Sequence, residues 1–376
     1  MARLSLARVV AVFLKELVQM RRDRLTFAMI LGIPVMQLIL FGFAINSDPK
    51  HLPTALNIQD PSVFSRRIVQ AFENTGYFSI DALTSSEHEA DALLQSGKVA
   101  FVITIPPDFS RKLLRGDTPQ MLIDADASDP AAAANAMAAA SLIPSATFAR
   151  DLPGGVSTTT ARPLFDVVVH RRYNPEGISS YNVVPGLIGV ILTMTMVLIT
   201  ALAVTREFER GTMENLMAMP LQPSEVMAGK ILPYIIVGYI QVTVVLIAAL
   251  VLFKVPMLGS YLDLSVALAI FIAANLSVGF TISTVAQNQL QAMQMTFFFF
   301  LPSILLSGFM FPFRGMPEWA QWIGQVLPNT HFMRIVRGIM LKGSGLVDLF
   351  GDVWPLLAFM LGAITIALMR YRRTLD

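Results

Sequence analysis

Long apolar runs, punctuated by short charged stretches, set the pattern of this chain and predict membrane helices. A helix that crosses a bilayer needs about 20 apolar residues. The first charge-free run of that order is Leu25 to Ser47, and the second lies within Gly177 to Thr205, where the helix is expected from Val183 onward. The third is Ile231 to Phe253, closed by Lys230 and Lys254. Leu264 to Phe313 carries no charge and is long enough for two spans, turning at the polar Gln287-Asn-Gln-Leu-Gln291. Val353 to Met369 is the last and shortest, followed by Arg370-Tyr-Arg-Arg373. Six spans are therefore predicted. Within the fourth, Asn275, Ser277, Thr281, Ser283 and Thr284 are expected to hydrogen-bond between helices.

Between the first two spans the period changes. Ala55 to Ile58, Tyr77 to Ala82, Val99 to Ile105 and Met121 to Asp124 read as strands. Ser62 to Asn74 reads as a helix begun by Pro61 and Ser62. Ser86 with Glu89 forms a capping box for the next helix, and Gly97 closes it. Asp108 to Leu114 is a short helix ending before Gly116, and Pro130 to Leu142 is an alanine-rich helix ended by Pro144. Pro153 to Arg162 is a Gly/Ser/Thr-rich loop. The alternation describes a small mixed α/β domain. The alanine run favours a packed helix, and its small residues would also suit an oligomer contact.

Residues 1–24 place Leu6, Val9, Val10, Phe13, Leu14 and Leu17 on one helical face, with Lys15, Arg21, Arg22 and Arg24 on the basic side. Such a helix lies in the membrane interface. The chain has 376 residues, 54% hydrophobic and 14% charged. Soluble domains carry about 25% charge, so this is a polytopic membrane protein with a soluble insert. There is no cysteine, hence no disulfide or thiolate site, and the net charge of +2 argues against nucleic acid. The first span reads as an uncleaved signal anchor. Six basic against two acidic residues in the first 24 place the N-terminus in the cytoplasm; the last seven residues, three basic and one acidic, do the same for the C-terminus. The insert from Asn46 to Glu176 has 11 basic and 15 acidic residues and goes outside. The stretch Arg314 to Asp352, with four basic and three acidic residues, dissents mildly. In it Trp319 and Trp322 suit interfacial anchoring, beside an amphipathic stretch expected to fold partly back into the membrane.

Catalytic signatures are missing. The sequence holds no G-x-x-x-x-G-K-[ST], H-E-x-x-H or G-x-S-x-G. His51, His88, His170 and His331 lack metal-ligand spacing and read as structural. No acidic pair lies in a span, which weighs against an ion-coupled carrier. The dense cluster Arg206 to Pro220 then needs a purpose. Glu207, Arg210 and Glu214 share a helical face, Gly211 can end the membrane helix, Thr212 can cap a short one, and Pro220 and Pro223 stop it. Ser224 with Glu225 starts the next helix. The stretch is either a solvated loop held by local ion pairs or a coupling helix docked on a cytoplasmic ATPase.

Arg206-Glu207-x-Glu209-Arg210-Gly211-Thr212-x-Glu214-x-Leu216…Pro220 resembles the signature of type-2 ABC exporter permeases. Lys15-Glu16, Arg21-Arg22-Asp23-Arg24 and Pro34 resemble that family's interface helix and first span, and Pro185-Gly186-Leu187-Ile188-Gly189, Gly229-Lys230, Leu327-Pro328-Asn329-Thr330-His331 and Arg337-Gly338 also fit. The likeness covers nearly the whole chain and is nearest to the subgroup with a large extracytoplasmic domain between spans 1 and 2. Met219 stands where Thr is expected.

The resemblance implies an α-helical polytopic membrane protein with six transmembrane helices and a small mixed α/β extracytoplasmic domain. The organisation expected is an interface helix over 1–24, transmembrane helix 1 over 25–45, the extracytoplasmic domain over 46–176, and transmembrane helices 2–6 over 177–376 with the coupling helix at 206–220. It would be a non-enzymatic permease of the cell (inner) membrane. Its partners would be separate ABC ATPase subunits holding ATP and Mg, a second permease subunit in a homo- or heterodimer, membrane lipids and, where the organism has two membranes, a periplasmic adaptor. Coupling would fall to Arg206, Glu207, Glu209, Arg210, Gly211, Thr212 and Glu214, assisted by Lys15, Glu16, Arg21, Arg22 and Arg24. Spans 2 and 5 would line the path, through Thr193, Met196, Thr200, Met293, Phe297 and Phe300. The alternative is a non-transporting receptor or scaffold that uses the outer domain.

Overall fold

The computed structural model describes residues 49–147, 163–209 and 223–373. The predicted interface helix, with Lys15, Glu16, Arg21, Arg22 and Arg24, and the first span lie outside the described residues.

The insert folds as predicted in kind. Its elements are β1 (Leu52–Ile58), α1 (Val63–Asn74), β2 (Phe78–Leu83), α2 (Glu87–Gln95), β3 (Phe101–Ile105), α3 (Phe109–Leu114), β4 (Gln120–Asp126), α4 (Pro130–Ala146) and β5 (Asp166–Arg172). The five strands form one sheet in the order β2-β1-β3-β4-β5. β1 pairs in parallel with both β2 and β3, β3 pairs antiparallel with β4, and β4 pairs in parallel with β5. The chain leaves β1 toward β2 and then returns across it to β3. With crossovers of one hand, that reversal puts α1 and α2 on opposite faces of the sheet. The packing agrees. Ile68 and Phe72 of α1 and Ala133, Ala136 and Ala140 of α4 cover Leu56, Phe78, Phe101, Ile103 and Ile123. Ala90 and Leu94 of α2 cover Ala55 and Val102 on the other face.

Caps match the residue types that predicted them. Ser62 accepts from Ser65 N (3.1 Å), and Ser86 accepts from Glu89 N (3.2 Å) while the Glu89 carboxylate reaches back to Ser85 N (3.3 Å). Two features differ from expectation. α4 passes through Pro144, because that proline deletes only one bond near the helix end and Thr147 closes the next turn with its N and Oγ1 on Ile143 O (3.0 and 2.7 Å). β5 has no counterpart among the predicted strands. Its apolar signal is three valines between charged residues, too short for alternation to separate it from a loop.

The rest of the described chain is helical: α5 (Ser179–Glu209), α6 (Pro223–Val251), α7 (Tyr261–Ser283), α8 (Gln289–Leu305), α9 (Glu318–Val326), α10 (Pro328–Lys342) and α11 (Phe350–Arg373). Among the described residues α5, α6, α7 and α11 are each long and apolar enough to cross a membrane; α8, with 17 residues, is slightly shorter. α6 opens at Pro223, where a missing N–H costs nothing, and the predicted turn before the fifth span is closed by Asn288, which caps α8 through Gln291 N (2.9 Å).

α7 is the most enclosed of the membrane-length helices, and α6 and α11 turn apolar faces outward. α10 belongs to the bundle rather than to a loop. Its Phe332 stacks on Phe271 of α7 with centroids 4.0 Å apart, and Ile335, Val336 and Ile339 join the same core as Ile188, Leu192 and Leu356. Close approach of helices explains two glycines. A Cβ on Gly279 would lie 2.5 Å from Val197 O of α5, and one on Gly189 would lie 2.5 Å from Asn329 Oδ1 of α10. The polar residues of α7 correct an expectation. Asn275 donates to Phe271 O (2.9 Å), Ser277 to Ala273 O (2.7 Å), Thr281 to Ser277 O (2.9 Å), Ser283 to Phe280 O (2.6 Å) and Thr284 to Thr281 O (2.7 Å). Each side chain donates to a carbonyl one turn back in its own helix, so its donor needs no partner helix, while the Asn275 Oδ1 is buried without a partner among the described residues.

Candidate coupling site and translocation path

The charged signature begins at the end of α5, where Arg206 and Glu209 are exposed and Glu207 is half-buried. Arg210, Gly211, Thr212 and Glu214 lie outside the described residues. Glu209 does more than meet solvent. Its carboxylate accepts from Gln289 N (2.7 Å) and from Gln289 Nε2 (2.5 Å), at the first residue of α8. The side-chain amide and then the backbone N–H of Gln289 hold the Glu209 carboxyl below its ordinary value. An acid at a helix N-terminus also meets the positive end of the helix dipole. The last turn of α5 is thereby tied to the first turn of α8.

The six residues assigned to a path divide by helix. Thr193, Met196 and Thr200 of α5 are buried inside the described bundle, with Met196 in the main core and Thr200 against α7. Among the described residues the hydroxyls of Thr193 and Thr200 find no hydrogen-bond partner, whereas Thr195 bonds Ile191 O (2.7 Å) and Gln241 Oε1 (2.9 Å). On α8, Met293 and Phe297 are exposed and Phe300 is half-buried.

At the opposite end of α5 the α/β domain docks on the bundle through polar contacts that the sequence did not single out. Asn182 Nδ2 donates to Asp129 Oδ1 (3.1 Å). From Asn182 to Glu209 a helix rises about 40 Å, at 1.5 Å per residue. Lys342, the last residue of α10, donates to Asp126 Oδ2 (2.5 Å) and Leu94 O (3.3 Å), and lies over the Tyr173 ring at 5.2 Å. Gln95 Nε2 donates to Lys342 O (3.2 Å), and Arg314 donates to Gly97 O (2.9 Å). Burial pushes the Asp126 carboxyl up, but the Lys342 ammonium and hydrogen bonds from Lys342 and Ser128 outweigh it, leaving the group below its ordinary value. Burial, then the Asp126 charge, pushes the Tyr173 phenol up to about 12. Nearby, His331 is fixed at both ring nitrogens, 2.8 Å from Asp352 Oδ1 and 2.8 Å from Gln325 O, and Arg334 also reaches Asp352 (3.1 Å). Among the described residues no group of His, Asp and Glu side chains could hold a metal ion.

The family described as ABC-2 family transporter protein matches residues 24–369, from the start of the first apolar run to the end of the last. The chain belongs to the ABC-2 family of transporter proteins. It is 30% identical to the probable multidrug ABC transporter permease YbhS of Escherichia coli K12, over 99% of each chain. It is also 30% identical to the inner membrane transport permease YhhJ of that strain, over 91% of this chain and 93% of the relative. ABC transporter G family member 20 of Dictyostelium discoideum is 25% identical over 92% of this chain, which spans 47% of that protein. The molecule is thus a multi-pass membrane permease subunit of an ABC transporter.

The docking residues of this permease gave little signal in the sequence. Arg314 and Lys342 sit singly among apolar or small neighbours, Asp126 and Asp129 belong to a short acidic run with Asp124, and their partners are more than 50 residues away. The one available hint was the basic excess of Arg314 to Asp352 on a side assigned outside, which the insert's carboxylates answer.

Proposed function

We propose that the permease is the membrane half of an ATP-driven exporter, and that residues 206–220 form the coupling helix through which separate ATPase subunits move it. The observation that carries this reading is the arrangement along α5. The Arg206–Glu209 signature stands at one end and the docked α/β domain about 40 Å away at the other, a separation that supports assigning the two to opposite membrane faces. The excess of Lys and Arg at the chain ends assigns the signature end and both termini to the cytoplasm and the α/β domain to the outside, in a six-span topology.

ATP and Mg are held by the partner ATPases, since this sequence has no phosphate-binding loop. Arg206, Glu207, Glu209, Arg210, Gly211, Thr212 and Glu214 form the joint, with the interface helix of Lys15, Glu16, Arg21, Arg22 and Arg24 beside it. The Glu209–Gln289 contact supports transmission from this joint to α8. Two permease subunits, alike or different, pair around a path lined from α5 and α8. Exposed Met293 and Phe297, with half-buried Phe300, supply its adaptable apolar surface. Thr193, Met196 and Thr200 would join it only if α5 and α7 separate during the cycle. Such a lining favours a hydrophobic or amphipathic cargo, in keeping with the multidrug description of YbhS. A periplasmic adaptor would meet the α/β domain.

Co-purification with the ATPase tests the reading. Glu207→Lys and Gly211→Pro should each abolish ATPase association and stimulation; survival of both under either change removes the coupling helix. Ser86→Cys should react with an impermeant label from outside the cell, and protection there inverts the topology.

A further inference from the structure

The seam between the α/β domain and the bundle encloses a cavity of about 380 Å³. One face of α10 contributes Arg334, Arg337 and Lys342, and Arg314 stands at its exposed mouth. Facing them are three carboxylates, Asp126, Asp129 and Asp352. Two pairs are closed: Lys342 with Asp126 at 2.5 Å and Arg334 with Asp352 at 3.1 Å. The other two guanidiniums are poorly answered. Arg337, whose side chain is 12% exposed, reaches Asp129 only at 4.0 Å and Gly308 O only at 3.4 Å through each terminal nitrogen. Its Nε is buried and without a partner among the described residues. Asp129 is already engaged by Asn182. Arg314 donates to a backbone carbonyl, and among the described residues no carboxylate lies within ion-pair distance of it. A buried cationic fork whose terminal nitrogens make only long contacts is costly unless an acceptor completes it.

We propose that this cavity binds a small oxyanion, a phosphate or carboxylate group, on Arg337 with Arg314 closing over it. The chemistry fits the donors. A guanidinium offers parallel N–H bonds matched to an oxyanion, and the lining carries one cation more than it has carboxylates. The volume suits a compact ligand or a headgroup, at the low end of ligand pockets of about 300–1,000 Å³. Both walls, the domain and α10, would be bridged by the bound group, so occupancy would tighten the seam. The site lies away from the Met293–Phe297 face of α8, and it is read by equilibrium binding without ATP or transport. Its outcome is therefore separate from that of the exporter reading.

The test uses the purified full-length permease in detergent at constant ionic strength. Titrations with inorganic phosphate and with dioctanoyl phosphatidylglycerol are followed by calorimetry. Saturable binding of at least one probe is expected, weakened by about tenfold or more in Arg337→Gln and in Arg314→Gln and partly kept in Arg337→Lys. Saturation by phosphate assigns a soluble oxyanion; saturation by the phospholipid alone assigns a lipid headgroup. If Arg337→Gln fails to fold, Arg314→Gln, altered at the exposed mouth, carries the same reading. The proposal is overturned if neither probe saturates, or if every folded glutamine variant binds as tightly as the parent.

Discussion

Replacing Lys342 by methionine would leave the Asp126 carboxylate at the seam without its ammonium. The two side chains are 8% and 15% exposed, so water cannot take over the lost partner freely. Removing one member of a buried pair costs about 3–5 kcal/mol, and the partial exposure of Asp126 points to the lower figure. Arg314 on Gly97 and Asn182 on Asp129 would still hold the domain, so the effect is local opening of the seam rather than global unfolding. A loss of about 3 kcal/mol corresponds to roughly a hundredfold faster amide exchange where opening is required. The reporters are the amides of Gly97, Lys98 and Ser344, bonded at the seam to Leu94, Leu93 and Gly338 carbonyls. Native-state hydrogen exchange with mass spectrometry reads them directly. Asp126→Asn combined with Lys342→Met removes both charges and should recover at least half of the protection. Unchanged exchange in Lys342→Met, or a double variant as labile as the single one, would refute the latch. The pH dependence has a definite sign. The folded Asp126 carboxyl lies below its ordinary value of 3.8, so its contribution is present above 3.8 and is lost only as acid passes through the lowered value.

Phe332→Ala, which deletes a ring stacked at 4.0 Å on Phe271, should cost about 3 kcal/mol and lower the thermal midpoint; an unshifted midpoint would mean that α10 is not part of the core. Gly279→Val should prevent α5 and α7 from closing and abolish monodisperse protein in size-exclusion chromatography, whereas Gly362→Ala, with open space at its Cβ, should elute normally. Alkaline absorbance titration should give matching phenolate counts for the parent and Tyr173→Phe near pH 11, with the parent gaining one further phenolate only as pH rises through about 12. The folded Tyr173 value near 12 exceeds the ordinary 10.0, so its contribution is complete below 10.0 and fades as pH rises through 12; a Tyr173 titrating near 10 would refute its burial.

Element types within the insert were legible because each rests on local chemistry. Ser62 and Ser86 cap helices through neighbours three residues on, the alternation at β4 marks a strand, and the short apolar runs at β1 and β3 mark strands buried on both faces. The sheet order was not legible, since β1 meets β3 across an intervening strand and two helices. β5 went unread because its neighbour β4 decides its fate, not its three valines. The charge cluster at Arg206–Pro220 stood out because its density cannot sit in lipid, but the tie from Glu209 to Gln289 spans 80 residues and appears only when α5 and α8 lie side by side.

By itself the sequence determined where apolar helices run, which stretch folds apart from them, and which charged cluster must stand at a membrane end. Those follow from transfer of short segments between water and lipid, a property each segment has alone. The tertiary structure decided the rest. It packed α10 into the core, turned the hydroxyls of Ser277, Thr281, Ser283 and Thr284 onto their own helix, and brought Lys342 to Asp126 and Arg337 near Asp129. These are contacts between elements distant in sequence, where shape and charge are matched only after the chain has packed.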